Sequence, residues 1–443
     1  MESAKKSAAQ TLFSGGLHLI PLIPDNTFLS MFDRTINEIK FPDGQEFFKR
    51  ALLNAKRLIS TPRTRKCAIK LIEYTANQMF DAKEKRRAFK SEHGFRAPLV
   101  MVISPSMRCN LRCYGCYAGE YNKSDDLDPA LLERVIYEAE DMGIVYTVVS
   151  GGEPFFSKDV LDMWERHRNM LFQVYTNGTL IDKEMAQRLA EYGNVIPCIS
   201  VEGYKEETDQ RRGKGTYERI ISAMENLYDA GVLFGFSATA TRQNNELISS
   251  NEFVDFYMNK GCFIGWYFNY VPIGRKPALE LMPTPEQRVE RWNRIRKIRK
   301  EKPILLADFW CDGPLSGGCI AGGRSYFHVN NHGDVEPCVF THFAMDNLKD
   351  TSLADALGSP LFRAIRSRQP YCPNLLRPCM IIDNPTVLRE VVQESNAYPT
   401  HIGAETIIND LADELDAYAE AYGKLADEAW RQNYEAAEAV KQR

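Results

Sequence analysis

Three cysteines lie within eight residues of one another in the sequence RCNLRCYGCY, which covers residues 108–117. Cys109, Cys113 and Cys116 have the spacing C-x3-C-x2-C and bring three thiols, without a fourth, to one short segment. A structural metal site normally completes its coordination with four protein ligands, whereas a catalytic site keeps one position open. Cysteine thiolates are the usual ligands of iron–sulfur clusters. The spacing therefore predicts a cuboidal iron–sulfur cluster whose fourth iron is free to bind a small molecule. A zinc site that takes one ligand from elsewhere is the alternative.

The elements around this loop predict where it lies in the fold. The run PLVMVISPS (98–106) is typical of a buried strand, and the cysteines follow it directly. Beyond it, helical stretches alternate with strand-like runs, and several helices end at a glycine. Six strands joined by helical crossovers form a parallel α/β barrel or part of one, and such barrels bind their ligands at the C-terminal ends of the strands. The sequence predicts a partial (β/α)6 barrel of the TIM type over 98–283, with the cysteine loop at that end.

Further segments are predicted on either side of the barrel. They are a helical, basic N-terminal segment (1–97), connecting helices (284–307) that open on a Thr cap, a small Cys-rich module (308–384) and a C-terminal helical segment (385–443). The Cys-rich module shows little periodicity, which is typical of a module that metal binding stabilises. Apolar residues at alternating spacings of three and four predict one long amphipathic helix over 405–440.

These features resemble the radical S-adenosylmethionine (SAM) superfamily, whose signature is C-x3-C-x2-C after the first barrel strand. The ends of later strands fit the resemblance, with Ser-Gly-Gly-Glu-Pro at 150–154, Tyr-Thr-Asn-Gly at 175–178 and Ser-Val-Glu-Gly at 200–203. The resemblance implies that the unligated iron binds the amino and carboxylate groups of SAM. It also implies that the reduced cluster cleaves SAM to a 5′-deoxyadenosyl radical, which takes a hydrogen atom from a substrate or adds to it.

The resemblance also assigns residues to SAM. Glycines let the backbone approach a ligand closely, a carboxylate accepts from the ammonium group, and a guanidinium binds a carboxylate through two hydrogen bonds. Arg211 and Arg212 are both placed for the last role, and Arg212 is the residue assigned to it. Two departures from the family pattern are Gly115, where an aromatic residue is usual, and Glu202 in place of Asp. The SAM-binding residues predicted in this way are Gly151, Gly152, Glu153, Asn177, Ser200, Glu202 and Arg212.

A second group of cysteines follows in the predicted Cys-rich module. Cys319 and Cys338 form a C-x13-G-x4-C pattern in which Gly333 turns a hairpin. This is similar to the hairpin that opens the SPASM and twitch modules of radical SAM enzymes, which hold auxiliary [4Fe–4S] clusters. With Cys372 and Cys379 it implies four ligands and one auxiliary cluster, and a zinc site with the same ligands is the alternative. Cys311 is left as an additional ligand, a proton or hydrogen donor, or a packed thiol.

Composition and charge indicate a soluble globular protein. The 443 residues are 44% hydrophobic and 26% charged, with a net charge of −4. The N-terminus lacks the apolar core of a secretory signal, and no apolar run approaches the length of a spanning helix. These observations predict a cytoplasmic protein in which the 11 cysteines serve metal or redox chemistry.

The substrate is predicted less directly than the chemistry. Residues 1–97 carry 18 Lys and Arg against 10 Asp and Glu, and a basic helical segment with apolar residues suits the surface of an anionic membrane. With glycine at position 115, the cysteine motif resembles that of a subgroup that acts on isoprenoid lipids. A lipid or isoprenoid substrate at the membrane periphery is therefore favoured. Peptide maturation of the SPASM type and modification of a cofactor precursor or metabolite are alternatives, as is a non-enzymatic iron–sulfur or zinc scaffold. A small electron donor such as ferredoxin or flavodoxin is the expected partner, and nucleic acid is not.

Overall fold

The structure is a computed structural model that describes residues 16–119 and 126–435. Of residues 74–80 it describes the backbone alone. Residues 1–15 of the predicted N-terminal segment and residues 436–443 of the predicted C-terminal segment lie outside the described residues.

One nine-stranded sheet organises the chain. The strands are β1 (Val100–Ile103), β2 (Tyr146–Val149), β3 (Leu171–Thr176), β4 (Val195–Val201), β5 (Gly235–Ala240), β6 (Ile264–Asn269), β7 (Leu305–Asp308), β8 (Tyr326–Val329) and β9 (Val335–Glu336). In the order β7-β6-β5-β4-β3-β2-β1-β8-β9, every neighbouring pair is parallel except the antiparallel hairpin β8–β9. A separate two-stranded sheet pairs β10 (Phe343–Ala344) with β11 (Tyr398–Pro399). The predicted partial barrel, β1 to β6, is confirmed.

Helices connect these strands and flank them at both ends of the chain. The α-helices are α1 (Asp25–Ser30), α2 (Asp33–Glu38), α3 (Pro42–Ser60), α4 (Arg65–His93), α5 (Pro129–Asp141), α6 (Lys158–Arg166), α7 (Lys183–Tyr192), α8 (Lys205–Arg212), α9 (Thr216–Ala230), α10 (Asn245–Ile248), α11 (Asn251–Asn259), α12 (Pro285–Glu301), α13 (Gly313–Ser316), α14 (Leu353–Leu357), α15 (Pro360–Arg368), α16 (Pro385–Ser395) and α17 (Ala412–Trp430). Short 3-10 turns lie at Ile20–Leu22, Pro154–Phe156, Leu279–Leu281 and Ala404–Ile407, and a π-turn at Arg431–Glu435.

Local sequence signals fix several helix ends. The Asp128 carboxylate accepts from the amides of Ala130 and Leu131 and starts α5. Thr284 and Gln287 form a capping box at the start of α12, where the sequence predicted a Thr cap. Gly193 ends α7 in the left-handed conformation, at φ +67°.

Apolar layers cover both faces of the sheet. The outer face packs against the connecting helices through residues such as Ile103 and Val149. The inner face carries Val102 and Val148, which pack toward the C-terminal module. Alternate residues of each strand point to opposite faces, so the residues that follow the strands at their C-terminal ends can reach the interior.

The N-terminal helices close the end of the barrel at which the strands begin. Leu58 and Ile59 of α3 and Ile69 of α4 are buried against the beginnings of β3 and β6, at Leu171 and Ile264. The apolar faces of these helices therefore point into the barrel.

The segment between barrel and Cys-rich module differs from its predicted form. The sequence predicted connecting helices over 284–307, whereas the structure has one helix, α12, followed by the seventh parallel strand, β7. The register that pairs Ile264 with Leu305 sets this strand beside β6. The C-terminal α-helix is also shorter than predicted, because 3-10 and π turns bound α17.

A buried ion pair joins α12 to the Cys-rich module. The Arg288 guanidinium donates to Asp383 at 2.8 Å, and both side chains are 0% exposed. The guanidinium also lies over the Tyr422 ring of α17, 3.5 Å from its centroid. One charged group therefore holds three parts of the chain together.

Replacing Arg288 with Met should destabilise the fold by about 3–5 kcal/mol, because it leaves the Asp383 carboxylate buried without its cation. The exposed pair Arg34–Glu38 provides the control, and Glu38→Gln there should cost about 0.5 kcal/mol or less. Thermal melting of the two variants measures the difference. Equal melting temperatures would show that the buried pair does not hold the fold together.

Candidate functional site

The three-cysteine loop lies at the C-terminal end of β1 and is bonded to the loop after β2. The Gly152 amide donates to the Ser106 carbonyl at 2.9 Å, and the Glu153 amide donates to the Arg108 carbonyl at 2.8 Å. A Cβ at Gly152 would lie 2.1 Å from the Arg108 oxygen, so this approach requires glycine. The Gly-Gly-Glu segment therefore fixes the backbone that leads into Cys109.

The sulfurs of this loop accept hydrogen bonds from nearby backbone amides. The Leu111 amide donates to Cys109 Sγ at 3.4 Å, and the Ala118 amide donates to Cys116. Burial raises the pKa of both thiols, and for Cys116 the cations Arg211 and Arg275 partly oppose that rise. Amide donors and nearby cations both favour the thiolate form, which is the form that binds iron.

Glu153 is a buried carboxyl group that ties the end of β3 to the loop after β2. It accepts from Thr176 Oγ1 at 2.7 Å, from the Asn177 amide at 2.7 Å and from the Phe155 amide at 3.2 Å. Burial raises the pKa of Glu153 to about 7, although these hydrogen bonds favour the ionised form. Glu153 is thus poised to change its charge near neutral pH.

Asn177 and Ser200 follow the cysteine loop around the rim of the barrel. Asn177 Nδ2 donates to Asn110 Oδ1 at 2.8 Å and lies 3.8 Å from Cys109 Sγ. Ser200 of β4 lies 3.3 Å from the hydroxyl oxygen of Ser237 on β5. The structure therefore brings Asn177 to the cysteines and leaves Ser200 on the neighbouring strands.

Glu202 and the two candidate arginines form one buried ion cluster. Arg211 Nη1 lies 2.7 Å from Glu202 Oε2, and Arg212 Nη2 lies 2.5 Å from Glu202 Oε1. Arg211 also bonds the cysteine loop, because its Nε donates to the Tyr114 carbonyl at 3.2 Å. Both guanidinium groups share one carboxylate, so each keeps N–H groups for a further anion.

Sequence reasoning missed Arg275, which lies in the turn after β6. Its Nη1 donates to the Cys113 carbonyl at 3.3 Å, and its Nη2 donates to the Gly119 carbonyl at 3.2 Å. The position of Arg275 after a barrel strand could have indicated it, because that edge of the barrel carries the ligands.

A cavity of about 220 Å³, here called the cavity of the C-terminal module, lies where this module meets α3, β6 and β7. Cys319, Cys338 and Cys379 line it, and aromatic residues form much of its wall. The aromatic lining residues are Phe47, Trp266, Phe309, Trp310 and Phe340. Cys372 lies in the described chain but is not among the residues that line this cavity.

The sulfurs of this cavity show the same amide pattern as the first loop. The Phe340 amide donates to Cys338 at 3.5 Å, the Ile381 amide to Cys379 at 3.3 Å, and the Ala321 amide to Cys319. In each case the donor lies two residues after the cysteine, as Leu111 and Ala118 do. Burial raises the pKa of the Cys338 thiol to about 12. Hydrogen bonds to cysteine sulfurs are one of the means by which proteins tune iron–sulfur clusters, so these donor sets fit such clusters.

Cys311, which the sequence left without an assigned role, lies in an apolar cluster. Cys311 lies among Trp292, Leu376 and Tyr422, and burial raises the pKa of its thiol.

Within the described residues, no three His, Cys, Asp or Glu side chains are grouped closely enough to hold a single metal ion. The ligands of a cuboidal cluster bind separate irons, so they need not meet at one point.

A buried hydrogen-bond chain joins the barrel to the hairpin β8–β9. Ser104 Oγ lies 2.8 Å from His328 Nε2, and His328 Nδ1 lies 2.6 Å from Glu336 Oε2. Glu336 precedes Cys338 by two residues, and Ser104 follows β1 directly. The two cysteine regions are thus connected through polar side chains as well as through the sheet.

Comparison with known proteins agrees with this geometry. Residues 103–246 match the radical SAM superfamily, and residues 319–380 match SPASM, an iron–sulfur cluster-binding domain. The mycofactocin maturase MftC of Mycobacterium ulcerans is 30% identical over 301 residues, which cover 63% of this chain and 79% of that protein. The chain therefore belongs to the radical SAM superfamily and carries a SPASM domain. Membership in this superfamily implies a [4Fe–4S] cluster and SAM as cofactors, and the SPASM domain implies auxiliary iron–sulfur clusters. The chain is therefore an enzyme that uses SAM radical chemistry.

One further protein sequence and one solved structure are similar to this chain. The Fe-coproporphyrin III synthase of Methanosarcina barkeri is 29% identical over 228 residues, which are 48% of this chain and 57% of that protein. Streptococcus suis SuiB bound to S-adenosylmethionine has a TM-score of 0.56 at 21% identity and covers 67% of this chain and 75% of its own. That structural likeness shows a shared fold.

In the described part of the chain, no helix has both the length and the apolar character needed to cross a membrane.

The raised pKa of Glu153 predicts a pH-dependent stability difference. Folding raises this pKa from an ordinary 4.5 to about 7, so the protonated group stabilises the fold at acid pH and that contribution disappears as the pH rises through 7. Relative to Glu153→Gln, the wild-type apoprotein should lose about 1 kcal/mol of unfolding free energy between pH 6 and pH 8. Chemical denaturation at each pH measures this, with the exposed Glu420→Gln as the control. A difference that does not change between pH 6 and pH 8 would contradict a folded-state pKa of about 7 for Glu153.

Proposed function

We propose that this chain binds its radical SAM cluster through Cys109, Cys113 and Cys116 and leaves the fourth iron open to SAM. The observation that supports this most directly is the position of the three thiols at the C-terminal end of β1, on a loop bonded to Gly152 and Glu153. When bound, the reduced cluster and SAM supply a 5′-deoxyadenosyl radical that activates a C–H bond of the substrate. We infer that the electron comes from a small donor such as ferredoxin or flavodoxin.

The SAM site proposed here is the rim between the cysteine loop and the ends of β2 to β4. Its residues are Gly151, Gly152, Glu153, Asn177, Ser200, Glu202 and Arg212. Glu153 would orient the amino group of SAM, and the arginines on Glu202 would bind its carboxylate. Ser200 and Asn177 would bind more distant polar atoms of SAM.

We further propose one auxiliary [4Fe–4S] cluster in the cavity of the C-terminal module. Cys319, Cys338 and Cys379 line this cavity, and Cys372 is proposed as the fourth ligand. Cys372 does not line the cavity, so its place in this ligand set comes from the spacing of the four cysteines. Four protein ligands would leave no iron of this cluster open to substrate, so its role would be structural or electron-transferring.

For the substrate we propose an apolar molecule, a lipid or isoprenoid. Trp266, Phe309 and Phe340 line the same cavity in which the auxiliary cluster is proposed, so the part of this cavity beside the cluster would have an apolar wall, which favours an apolar ligand. The N-terminal segment also exposes large apolar side chains, with Leu19 at 59%, Leu22 at 79% and Met31 at 67%. Exposed apolar side chains on a basic segment suit an anionic lipid surface.

Peptide maturation is the second candidate function, and its support is the 30% identity to the mycofactocin maturase MftC. A peptide substrate would use the same rim and the same initiating chemistry.

Anaerobic reconstitution should give a protein that releases 5′-deoxyadenosine from SAM in the presence of dithionite. Replacement of any one of Cys109, Cys113 and Cys116 by Ala should abolish this release, because the cluster loses one of its three ligands. Cys67→Ala is the matched control, since Cys67 is also partly buried but belongs to α4, and it should keep the activity. Chromatography of the quenched reaction measures the product.

Two results would contradict the proposed function. One is a reconstituted cluster that yields no 5′-deoxyadenosine, as a non-enzymatic scaffold would. The other is spectroscopic evidence for a protein ligand on every iron, or for a single zinc ion, at the first site.

Membrane binding tests the proposed lipid substrate. The protein should co-sediment with phosphatidylglycerol vesicles at low salt, bind less at high salt and bind little to phosphatidylcholine vesicles. The double variant Leu19→Ser, Leu22→Ser should reduce the bound fraction, because it removes exposed apolar surface. Ile402→Ser is the control, since Ile402 is 90% exposed but follows β11 and does not belong to the basic N-terminal segment. Absence of salt-sensitive binding would contradict the lipid proposal and favour a peptide substrate.

A further inference from the structure

A tyrosine hydroxyl group is directed at one of the cavity sulfurs. Tyr326 of β8 is 2% exposed, and its Oη donates to Cys338 Sγ at 2.6 Å. The same hydroxyl oxygen accepts from the Val339 amide. The hydroxyl group therefore accepts from this amide and donates its single proton to the sulfur.

A second tyrosine lies beside a different cavity sulfur. The Tyr371 hydroxyl donates to Met380 Sδ at 3.5 Å, and Cys319 is a second sulfur acceptor within reach of the same hydroxyl group. Gln369 Nε2 donates to Tyr371 Oη at 3.3 Å, as Val339 does to Tyr326. A phenol keeps its proton at neutral pH, so both hydroxyl groups can act as donors.

The positions of these side chains are fixed by the fold. Tyr326 is paired in register with Val100 on β1, so its strand cannot move without the sheet. Gln369, which holds Tyr371, also donates to the carbonyls of Cys319 and Ala321, at 3.3 Å and 2.9 Å. The hydroxyl groups are therefore presented to the sulfurs by rigid parts of the structure.

We propose that Tyr326 raises the reduction potential of the auxiliary cluster by donating a hydrogen bond to its Cys338 ligand, and that Tyr371 adds to this effect when its proton turns from Met380 to the Cys319 ligand. This inference rests on the proposed function, in which these cysteines bind that cluster. One-electron reduction adds negative charge to a cluster and its thiolates, and a donor on sulfur stabilises the more negative state. Hydrogen bonds to the sulfurs are among the factors that set cluster potentials. The two tyrosines thus adjust the cluster electronically without contacting iron.

The test uses the full-length chain with Cys109, Cys113 and Cys116 all changed to Ala, so that the auxiliary cluster alone is observed. In this background, Tyr326→Phe and Tyr371→Phe should each lower the midpoint potential in a redox titration followed by EPR. The double variant should lower it further than either single change. Phenylalanine keeps the ring and its packing, so a change in potential reports the hydroxyl group.

Tyr267→Phe is the matched control. Tyr267 is fully buried on β6 and packs in the outer core, away from the cavity cysteines, so its replacement should leave the potential unchanged. A potential unchanged in both Tyr326→Phe and Tyr371→Phe, with the cluster loaded, would overturn the inference. A background protein that binds no auxiliary cluster would overturn the ligand assignment first, and this outcome is recognised by the missing cluster spectrum.

Discussion

The pairing of β8 with β1 is the constraint on which the arrangement of both cysteine regions depends. Val102 lies opposite His328 in this parallel pair, and the polar contact from Ser104 to His328 crosses the same junction. The first cysteine loop leaves the end of β1, and Cys338 leaves the hairpin that β8 begins. Because backbone hydrogen bonds fix strand register, the distance between the two regions is built into the sheet. A module joined by a linker would not have this property.

Buried charges hold the remaining parts to this sheet. Arg288 connects α12, the Cys-rich module and α17, and a second buried pair, Arg291–Asp308, connects α12 to the end of β7. Buried pairs of this kind add little net stability compared with apolar packing, but they are costly to break. Their effect here is to fix positions, because each pair has its partner on a different element.

Much of the site could be predicted from sequence because its signals are local. The cysteine spacing, the Gly-Gly-Glu segment and the alternation of helices and strands each lie within a few tens of residues. Arg275 was not predicted, because it reaches the cysteine loop by long-range packing that no spacing encodes. Tyr326 and Cys338 lie on one predicted hairpin, but the spacing does not show which side chain of its first strand contacts the sulfur. The strand β7 was missed for a related reason. It is short and follows a long helix, and its pairing with β6 depends on tertiary context.

The N-terminal helices α3 and α4 close one of the two ends of the barrel. Leu58, Ile59 and Ile69 occupy the end opposite the cysteine loop. The sheet does not close on itself, since β7 and β9 are its two edges. Molecules that reach the cysteine loop must therefore enter at the end that carries this loop or between those edges, so that closing one end limits the routes of exchange without reducing them to one.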